Sequence, residues 1–462
     1  MDLKLNPRPY TTAQSALSED GTFQPVSYWQ ETIDVVPEPP LEGEHSCDVA
    51  IVGAGYTGLS TAIALKKAHP ELDVVILERG VAGHGASGRN GGFASTLFGW
   101  DLLTTVNKLG KEKGGQVYRL MYDAIAHLRS TIEEHAIACD PEYTGYALLS
   151  TCAARERHLQ KEYALAHELG FEHHWLEGDT LDEHIHNEQY RSGIFDPKPF
   201  IMNPAKLSRG LKDLAVSLGV KVYEQTPLIK LDDGDPATLQ TPDGTLQAKR
   251  VVLALNGYAS ALNFQSSTVL PVHSYIVLTE PLTDAQLTST GWHKNRAGLE
   301  TARNLIHYFR LTVDNRVAFG GDDADLYYHG AFRDHDPRIF TNLEAAFRKS
   351  FATLKNVSIS HRWGGTLGVT LDMFPTFGCT GDRQNIFYAS GYSGHGVALA
   401  NYAGQILSPA ILASLGLSAP ETTATPFFYN RNTFPLPPDP IRYLGMKAYA
   451  ATLRLQDKIQ GA

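Results

Sequence analysis

Three glycine-rich corners hold the residues of this chain best placed to do chemistry. The first is Gly53-Ala54-Gly55-Tyr56-Thr57-Gly58, followed twenty positions later by Glu78 and Arg79. A Gly-x-Gly-x-x-Gly corner turns tightly, brings bare backbone up to a pyrophosphate and lets a helix close on its strand. The helix N-terminus adds free N–H groups and the positive end of a dipole. A carboxylate at the Glu78 spacing accepts hydrogen bonds from a ribose 2′-OH and repels a 2′-phosphate. The second corner has glycine at 83, 85, 88, 91 and 92, with His84, Ala86, Ser87, Arg89 and Asn90 between them. It exposes backbone N–H groups and leaves room for a flat ligand. The third is Gly391-Tyr392-Ser393-Gly394-His395-Gly396. A helix starting there points its positive end at an anionic group.

Each corner needs a strand before it and a helix behind it. Residues 49–52 are a short apolar run of strand type, residues 59–68 read as helix, and residues 74–77 form a second strand ending at Glu78. Residues 386–390 and 397–407 repeat strand, turn and helix, with Ala398, Ala400, Ala403 and Gly404 keeping that helix slim. A buried strand at 251–255 ends at Asn256-Gly257, a second strand terminus able to face a ligand. Asn203-Pro204 opens a helix through Leu207, Leu211, Leu214 and Leu218, stopped by Gly219. Val117, Leu120, Met121, Ala124, Ile125, Leu128 and Ile132 give 116–135 helical period, and Thr180 with Glu183 reads as a capping box. Residues 220–231 are expected as one strand, with a hairpin turn at Asp243-Gly244. Short strands at 275–279, 305–311 and 316–320 suggest an antiparallel sheet. Residues 1–46, with Pro7, Pro9, Pro25, Pro37, Pro39 and Pro40, read as an extended arm pinned by Tyr28 and Trp29; the tail from 439 reads as a terminal arm with a short helix.

With 462 residues the chain has room for two domains with their own cores, and 43% hydrophobic with 19% charged residues is ordinary globular composition. A formal charge of −10 argues against nucleic-acid and anionic-membrane partners. No apolar run of spanning length and no signal peptide is read. Cys47, Cys139, Cys152 and Cys379 form no Cys-x-x-Cys pair, so disulfides and zinc ribbons are not expected and a reducing cytoplasm fits. His173, His174, His184 and His186 lie among Glu172, Asp179, Asp182 and Glu183, but their spacing matches no zinc pattern; a solvated face and no metal are expected. No Gly-x-Ser-x-Gly elbow supports a serine nucleophile. By period two, Tyr308 and Arg310 share one strand face and His307 the other, with Arg303 nearby.

Together with Ser27-Tyr28-Trp29, Asn203-Pro204, Ala254-Leu255-Asn256-Gly257, residues 271–281 (PVHSYIVLTEP) and Trp363-Gly364-Gly365, the three corners resemble the D-amino acid oxidase family of FAD-dependent amine oxidoreductases. Within it they are similar to the branch containing gamma-glutamylputrescine oxidoreductase, over nearly the whole chain. The resemblance implies an α/β fold with a discontinuous Rossmann-like FAD-binding domain (47–110, 196–265, 361–462). An α+β substrate domain with an antiparallel sheet (111–195, 266–360) follows from it too, after the arm. It implies that residues 53–58, Glu78 and Arg79 hold pyrophosphate and ribose, and that Gly85, Ala86, Ser87, Arg89, Asn90, Gly91 and Gly92 run along the pyrophosphate and against the flavin. Thr226, Pro227 and Leu228 would touch the adenine side. Asn256, Gly257, Gly365, Gly391, Tyr392, Gly394, His395 and Gly396 would reach the flavin, whose reduced charge a helix N-terminus stabilises.

Two departures from the family pattern narrow the chemistry. Where amino-acid oxidases of the family carry a carboxylate-clamping arginine, this chain has Trp363, with one donor and no charge. An amine without an adjacent carboxylate is therefore favoured. No cysteine lies between Trp363 and Pro375 to bond flavin, so non-covalent FAD follows, with His84 as the one histidine near the flavin-facing loop. Tyr275, Tyr308 and Trp363 are expected as aromatic walls over the flavin, suited to a cationic amine, with His395 as a hydrogen-bond donor. The expected reaction is oxidation of a primary or secondary amine by hydride transfer to flavin N5, giving an imine, then an aldehyde, and hydrogen peroxide if oxygen is the acceptor. A D-amino acid or sarcosine-type oxidase, a dehydrogenase using another acceptor, an NAD-dependent dehydrogenase and a non-catalytic flavin protein are the alternatives.

Overall fold

Val49, Ala50, Ile51 and Val52 are apolar on both faces, which suits a strand covered from both sides. In the computed structural model, which describes residues 2–6, 15–322, 325–419 and 425–461, they end the strand Gly43–Val52. This strand lies inside a nine-stranded sheet, parallel to Val74–Leu77 on one side and to Gly244–Leu253 on the other. Ala50 pairs with Val75 and Val251, so three C-terminal strand ends line up. Lys221–Tyr223 extends the parallel set beyond Val74–Leu77, and Ile386–Ser390 pairs in parallel with residues 251–253. All three glycine corners follow these strands.

The Tyr56–Ala68 and Gly396–Ser414 helices nearly touch. A Cβ on Gly404 would lie 2.2 Å from the Ser60 carbonyl oxygen, and Ser60 Oγ donates to the Ala400 carbonyl at 2.8 Å. Gly396–Ser414 is long and apolar enough to cross a membrane, which corrects the sequence reading. Its polar Asn401, Gln405 and Ser408 had masked that length, and 72% of its apolar window is buried within the protein.

A second nine-stranded sheet faces this layer. Its long strand Leu270–Thr279 runs antiparallel to Ile359–Val369 and Val317–Gly321, and the order continues through His307–Leu311, Gly298–Thr301, Tyr146–Ser150 and Ser192–Asp196. The expected antiparallel sheet is present, with one parallel pair, Gly298–Thr301 against Tyr146–Ser150. Its core is aromatic: Phe309, Phe319, Phe347 and Phe351 pack with Trp292.

The Asn203 cap forms as expected, its side chain accepting from the Ala205 and Lys206 N–H groups at 3.1 Å. Four local expectations fail. Residues 220–231 are two strands, Lys221–Tyr223 and Lys230–Asp232, because Gln225 turns at φ +53° and Pro227 has no N–H. The Asp179–Asp182 helix starts at Gly178 without a side-chain cap, since the Thr180 hydroxyl bonds Glu177 instead. The arm is not wholly extended. Asp2–Lys4 pairs with Lys230–Asp232, the first long strand begins at Gly43, and Ser27 and Gln30 make a capping box on the turn Tyr28–Glu31; Pro7 and Pro9 lie outside the described residues. Lastly, the tail is a long helix, Ile441–Gln460.

Candidate active site

Backbone geometry dictates the first corner. A Cβ on Gly58 would lie 2.0 Å from the Gly53 carbonyl oxygen, and Gly53 has φ +105°. The Glu78 carboxylate closes the corner from the next strand, accepting from the Ala54 and Gly80 N–H groups, each at 2.8 Å. Burial pushes its carboxyl up despite those two donors. Beside it the Thr226 N–H donates to the Glu78 carbonyl at 2.7 Å.

The second corner is clamped to the first and held from behind. Ser87 Oγ accepts from the Tyr56 N–H at 3.0 Å, next to Gly55. The Asn90 amide donates to the Ala86 and Ser87 carbonyls at 3.1 and 3.0 Å, and its oxygen accepts from the Gly92 N–H at 2.8 Å. From the arm, Ser27 Oγ donates to the Gly88 carbonyl at 2.7 Å, and Gln30 donates to those of Gly83 and His84. Arg89 is buried, paired with Asp334 at 2.5 Å and donating to the His84 carbonyl. The His84 imidazole is held far below its usual range by burial and the two neighbouring arginines, Arg89 and Arg79. Arg310 reaches in from the second sheet and donates to the carbonyls of Met202 at 2.6 Å, Gly92 at 3.3 Å and Gly91 at 3.4 Å; burial brings its guanidinium down to about 10.

The third corner joins both. Tyr392 OH and Thr57 Oγ1 lie 2.7 Å apart, and Asn256 Oδ1 accepts from the Gly391 N–H at 3.0 Å. Gly257 packs so closely that a Cβ would meet the Leu367 carbonyl oxygen at 2.6 Å. His395 is the N-terminal cap residue of Gly396–Ser414; its Nδ1 is buried without a hydrogen-bond partner, and burial pushes the imidazole down to about 4, so it is neutral.

One cavity of about 1080 Å3 runs past all three corners. Glu78, Arg79, Thr226, Pro227 and Leu228 line it together, as do Gly365, Tyr392, Gly394, His395 and Gly396. Gly53, Gly55, Tyr56 and Thr57 line it from the first corner, Gly85, Ala86, Ser87, Arg89, Asn90 and Gly91 from the second, and Asn256 from the end of the strand Gly244–Leu253. Ala54, Gly58, Gly92, Gly257 and Gly391 stand behind that lining. Bare glycine backbone, a helix N-terminus and the orphaned His395 nitrogen along one continuous cavity fit FAD, a long ligand with two phosphates and a flat ring.

The cavity continues into a chamber bounded by the second sheet. Tyr308 lines it, its hydroxyl 3.2 Å from Ser274 Oγ. Tyr275 and Trp363 do not. Val272, Ser274 and Ile276 face the cavity, so Tyr275 points to the opposite face, where its hydroxyl meets those of Tyr327 at 2.6 Å and the Arg333 carbonyl at 3.0 Å. Trp363 is buried edge-on against Trp29, its N–H donated to the Arg89 carbonyl at 2.8 Å. Sequence reasoning missed Asp101, His158, Glu162 and Glu300, all lining the chamber, because they come from separate segments. Ligand atoms of Asp101, His158 and Glu162 lie within 4.8 Å of one another. A carboxylate inside the otherwise apolar run around Leu299 was the available signal. The His173 group instead disperses: His173 faces Asp196 at 3.5 Å and Tyr122, His174 faces Glu172, and His186 faces Asp182.

The roof is the Ile441–Gln460 helix, whose Met446, Tyr449, Ala450 and Leu453 line the cavity. Its buried Asp457 accepts from Arg155 and from the Asn304 and Leu305 N–H groups, each at 3.0 Å, with Arg303 Nε 4.0 Å away.

Residues 48–409 match the family model described as DAO, FAD dependent oxidoreductase. The chain is 32% identical over 388 residues to the oxidoreductase OrdL of Haemophilus influenzae, covering 81% of this chain and 85% of that protein. It is 30% identical over 380 residues to gamma-glutamylputrescine oxidoreductase of Escherichia coli, covering 80% and 85%. Among solved structures, glycine oxidase from Geobacillus kaustophilus superposes with a TM-score of 0.70 at 21% identity, covering 84% of this chain and 99% of that one. L-proline dehydrogenase from P. horikoshii gives 0.67 at 18%, covering 85% and 96%. The two structures share the fold found here.

Proposed function

The chain belongs to the DAO family of FAD-dependent oxidoreductases, and on that premise we propose that it oxidises a primary or secondary amine that lacks a neighbouring carboxylate. The supporting observation is how the arginines around the chamber are already engaged. Arg155 donates to Asp457 at 3.0 Å, Arg89 is paired with Asp334, and position 363 carries a tryptophan whose N–H goes to a backbone carbonyl. A paired guanidinium is poorly placed to clamp a substrate carboxylate.

FAD, held non-covalently by the residues of the three corners, supplies the two-electron acceptor, with oxygen as final acceptor yielding hydrogen peroxide. Glu78 takes the ribose hydroxyls, and the N–H groups around Gly55 and Ser87 take the phosphates. His395, neutral at the positive end of its helix, favours negative charge developing beside it. Tyr308 walls the amine in, and the roof helix keeps water out. The amine has only to be bound unprotonated, so no side chain need act as general base, and the imine product hydrolyses to an aldehyde. The cofactor part comprises residues 47–110, 196–265 and the chain beyond 369, because Ile359–Val369 runs in the second sheet; residues 111–195 and 266–369 supply the substrate part.

An absorbance spectrum before and after acid precipitation tests the cofactor: flavin should be present and released. Anaerobic mixing with amines, D-amino acids and N-methyl amino acids then tests the substrate. Bleaching by amines, with activity rising from about pH 6 to about pH 10, is expected; bleaching by amino acids alone, or a flat profile, refutes the reading.

A further inference from the structure

Asp101, Glu162 and Glu300 come from three separate segments and share the chamber. Asp101 caps the Leu102–Leu109 helix, accepting from the Thr104 N–H at 2.7 Å, and receives His158 Nε2 at 3.1 Å. Glu162, only 2% exposed, accepts from the Leu102 N–H at 3.1 Å with one oxygen. Its other oxygen is buried and accepts no hydrogen bond; His158 Nε2 stands 3.9 Å off. Glu300, 7% exposed, enters from the strand Gly298–Thr301. Burial pushes the Glu300 carboxyl up to about 7, and burial with Asp101 beside it pushes Glu162 well above its usual range.

Buried carboxylates without matching cations are costly, and an unpartnered oxygen inside a cavity marks a place where a ligand supplies the missing charge. The nearby arginines do not supply it, since Arg155 and Arg303 share Asp457 and Arg303 also stands near Asp322. We propose that this recess is a subsite for a second positive charge on the substrate, so that the amine oxidised is an unmodified diamine or longer polyamine. Its remote ammonium rests among Asp101, Glu162 and Glu300 while its other nitrogen is positioned for oxidation. The assignment rests on the amine reading above and goes beyond it. It also sets this chain apart from an enzyme for a γ-glutamyl amide, whose remote end carries an ammonium beside a carboxylate, hence no net charge, and gains less from three acids than a second free ammonium does.

The test uses the FAD-loaded enzyme, with n-butylamine, a ladder of α,ω-diamines, spermidine and γ-glutamylated 1,4-diaminobutane as probes. The diamine-to-monoamine ratio of kcat/KM should be roughly thirtyfold or more, and it should collapse in Glu162→Gln and in Glu300→Gln. Flavin content and melting midpoint establish that each variant is folded, and the wild-type ladder decides the matter even if one is not. Equal use of butylamine and diamines, or preference for the γ-glutamyl amide, overturns the assignment while leaving amine oxidation intact. Failure of every amine to bleach the flavin overturns amine oxidation itself. Tight binding of zinc ion alone with no diamine preference would instead make Asp101, His158 and Glu162 a metal site, and overturns the proposal.

Discussion

Asp457 is the only fully buried residue of the roof helix Ile441–Gln460, so the attachment of that helix can be tested with one substitution. Asp457→Asn keeps shape and removes charge. The wild-type carboxylate, 1% exposed, accepts three hydrogen bonds at 3.0 Å and faces two guanidiniums. An asparagine offers one oxygen and points its own donors at the rest. Breaking a buried ion pair costs about 3–5 kcal/mol. Arg155 and Arg303 are 17% and 20% exposed, so the lower figure applies. About 3 kcal/mol corresponds to roughly a hundredfold in the opening equilibrium. Hydrogen exchange across residues 441–460 should therefore quicken about a hundredfold, with trypsin cutting first at Arg442, Lys447, Arg454 and Lys458. The melting midpoint of the rest should hardly move, and KM should rise more than kcat falls. Unchanged protection of the helix, or loss of the whole fold, would refute the pinning role.

Gly58→Ala forces a methyl to within 2.0 Å of the Gly53 carbonyl, so the fingerprint helix must back away from its strand. A destabilisation of about 1–3 kcal/mol and a lowered flavin-to-protein absorbance ratio are expected. Glu300 gives a pH signature: its carboxyl sits at about 7 in the fold against an ordinary 4.5, so the folded chain binds that proton more tightly than the unfolded one. The cost of ionising it is full above pH 7 and fades towards 4.5. Glu300→Gln should stabilise the apoprotein by up to about 3 kcal/mol at pH 8 and little at pH 5, measured by thermal melting. His395, pushed down to about 4, is neutral wherever activity is assayed. His395→Asn should therefore leave the acid limb of the kcat/KM profile in place, and a limb displaced by a unit would assign it to the imidazole.

The glycine corners and their flanking strands were legible because their constraints are local: positive φ at Gly53, close approach at Gly58, a cap at Asn203 before Pro204. The break at residues 224–229 was not, since Gln225 and Thr226 bond Gly80 and Glu78 across the sheet, a long-range pairing that strand propensity cannot anticipate. Period two rightly put Tyr308 and Arg310 together, yet it could not say which face of Leu270–Thr279 looked into the cavity, and Tyr275 fell on the other one. The acidic recess was illegible for a different reason: positions 101, 162 and 300 share no spacing, and only the tertiary fold makes them neighbours. The roof helix escaped notice because polar links from Asp457, from Lys447 to Asp325 and from Arg442 to the Ser266 carbonyl, rather than an apolar stripe, hold it down.

Arg310 grows from the sheet on the substrate side, but its donors end on the carbonyls of Gly91, Gly92 and Met202 across the way. Together with Arg89, which pairs with Asp334, it ties the two layers of the molecule through buried guanidiniums. Parting them like jaws would strand a cation among dry oxygens, so traffic in and out has to pass at the margin, where a peripheral flap can lift while the middle stays shut.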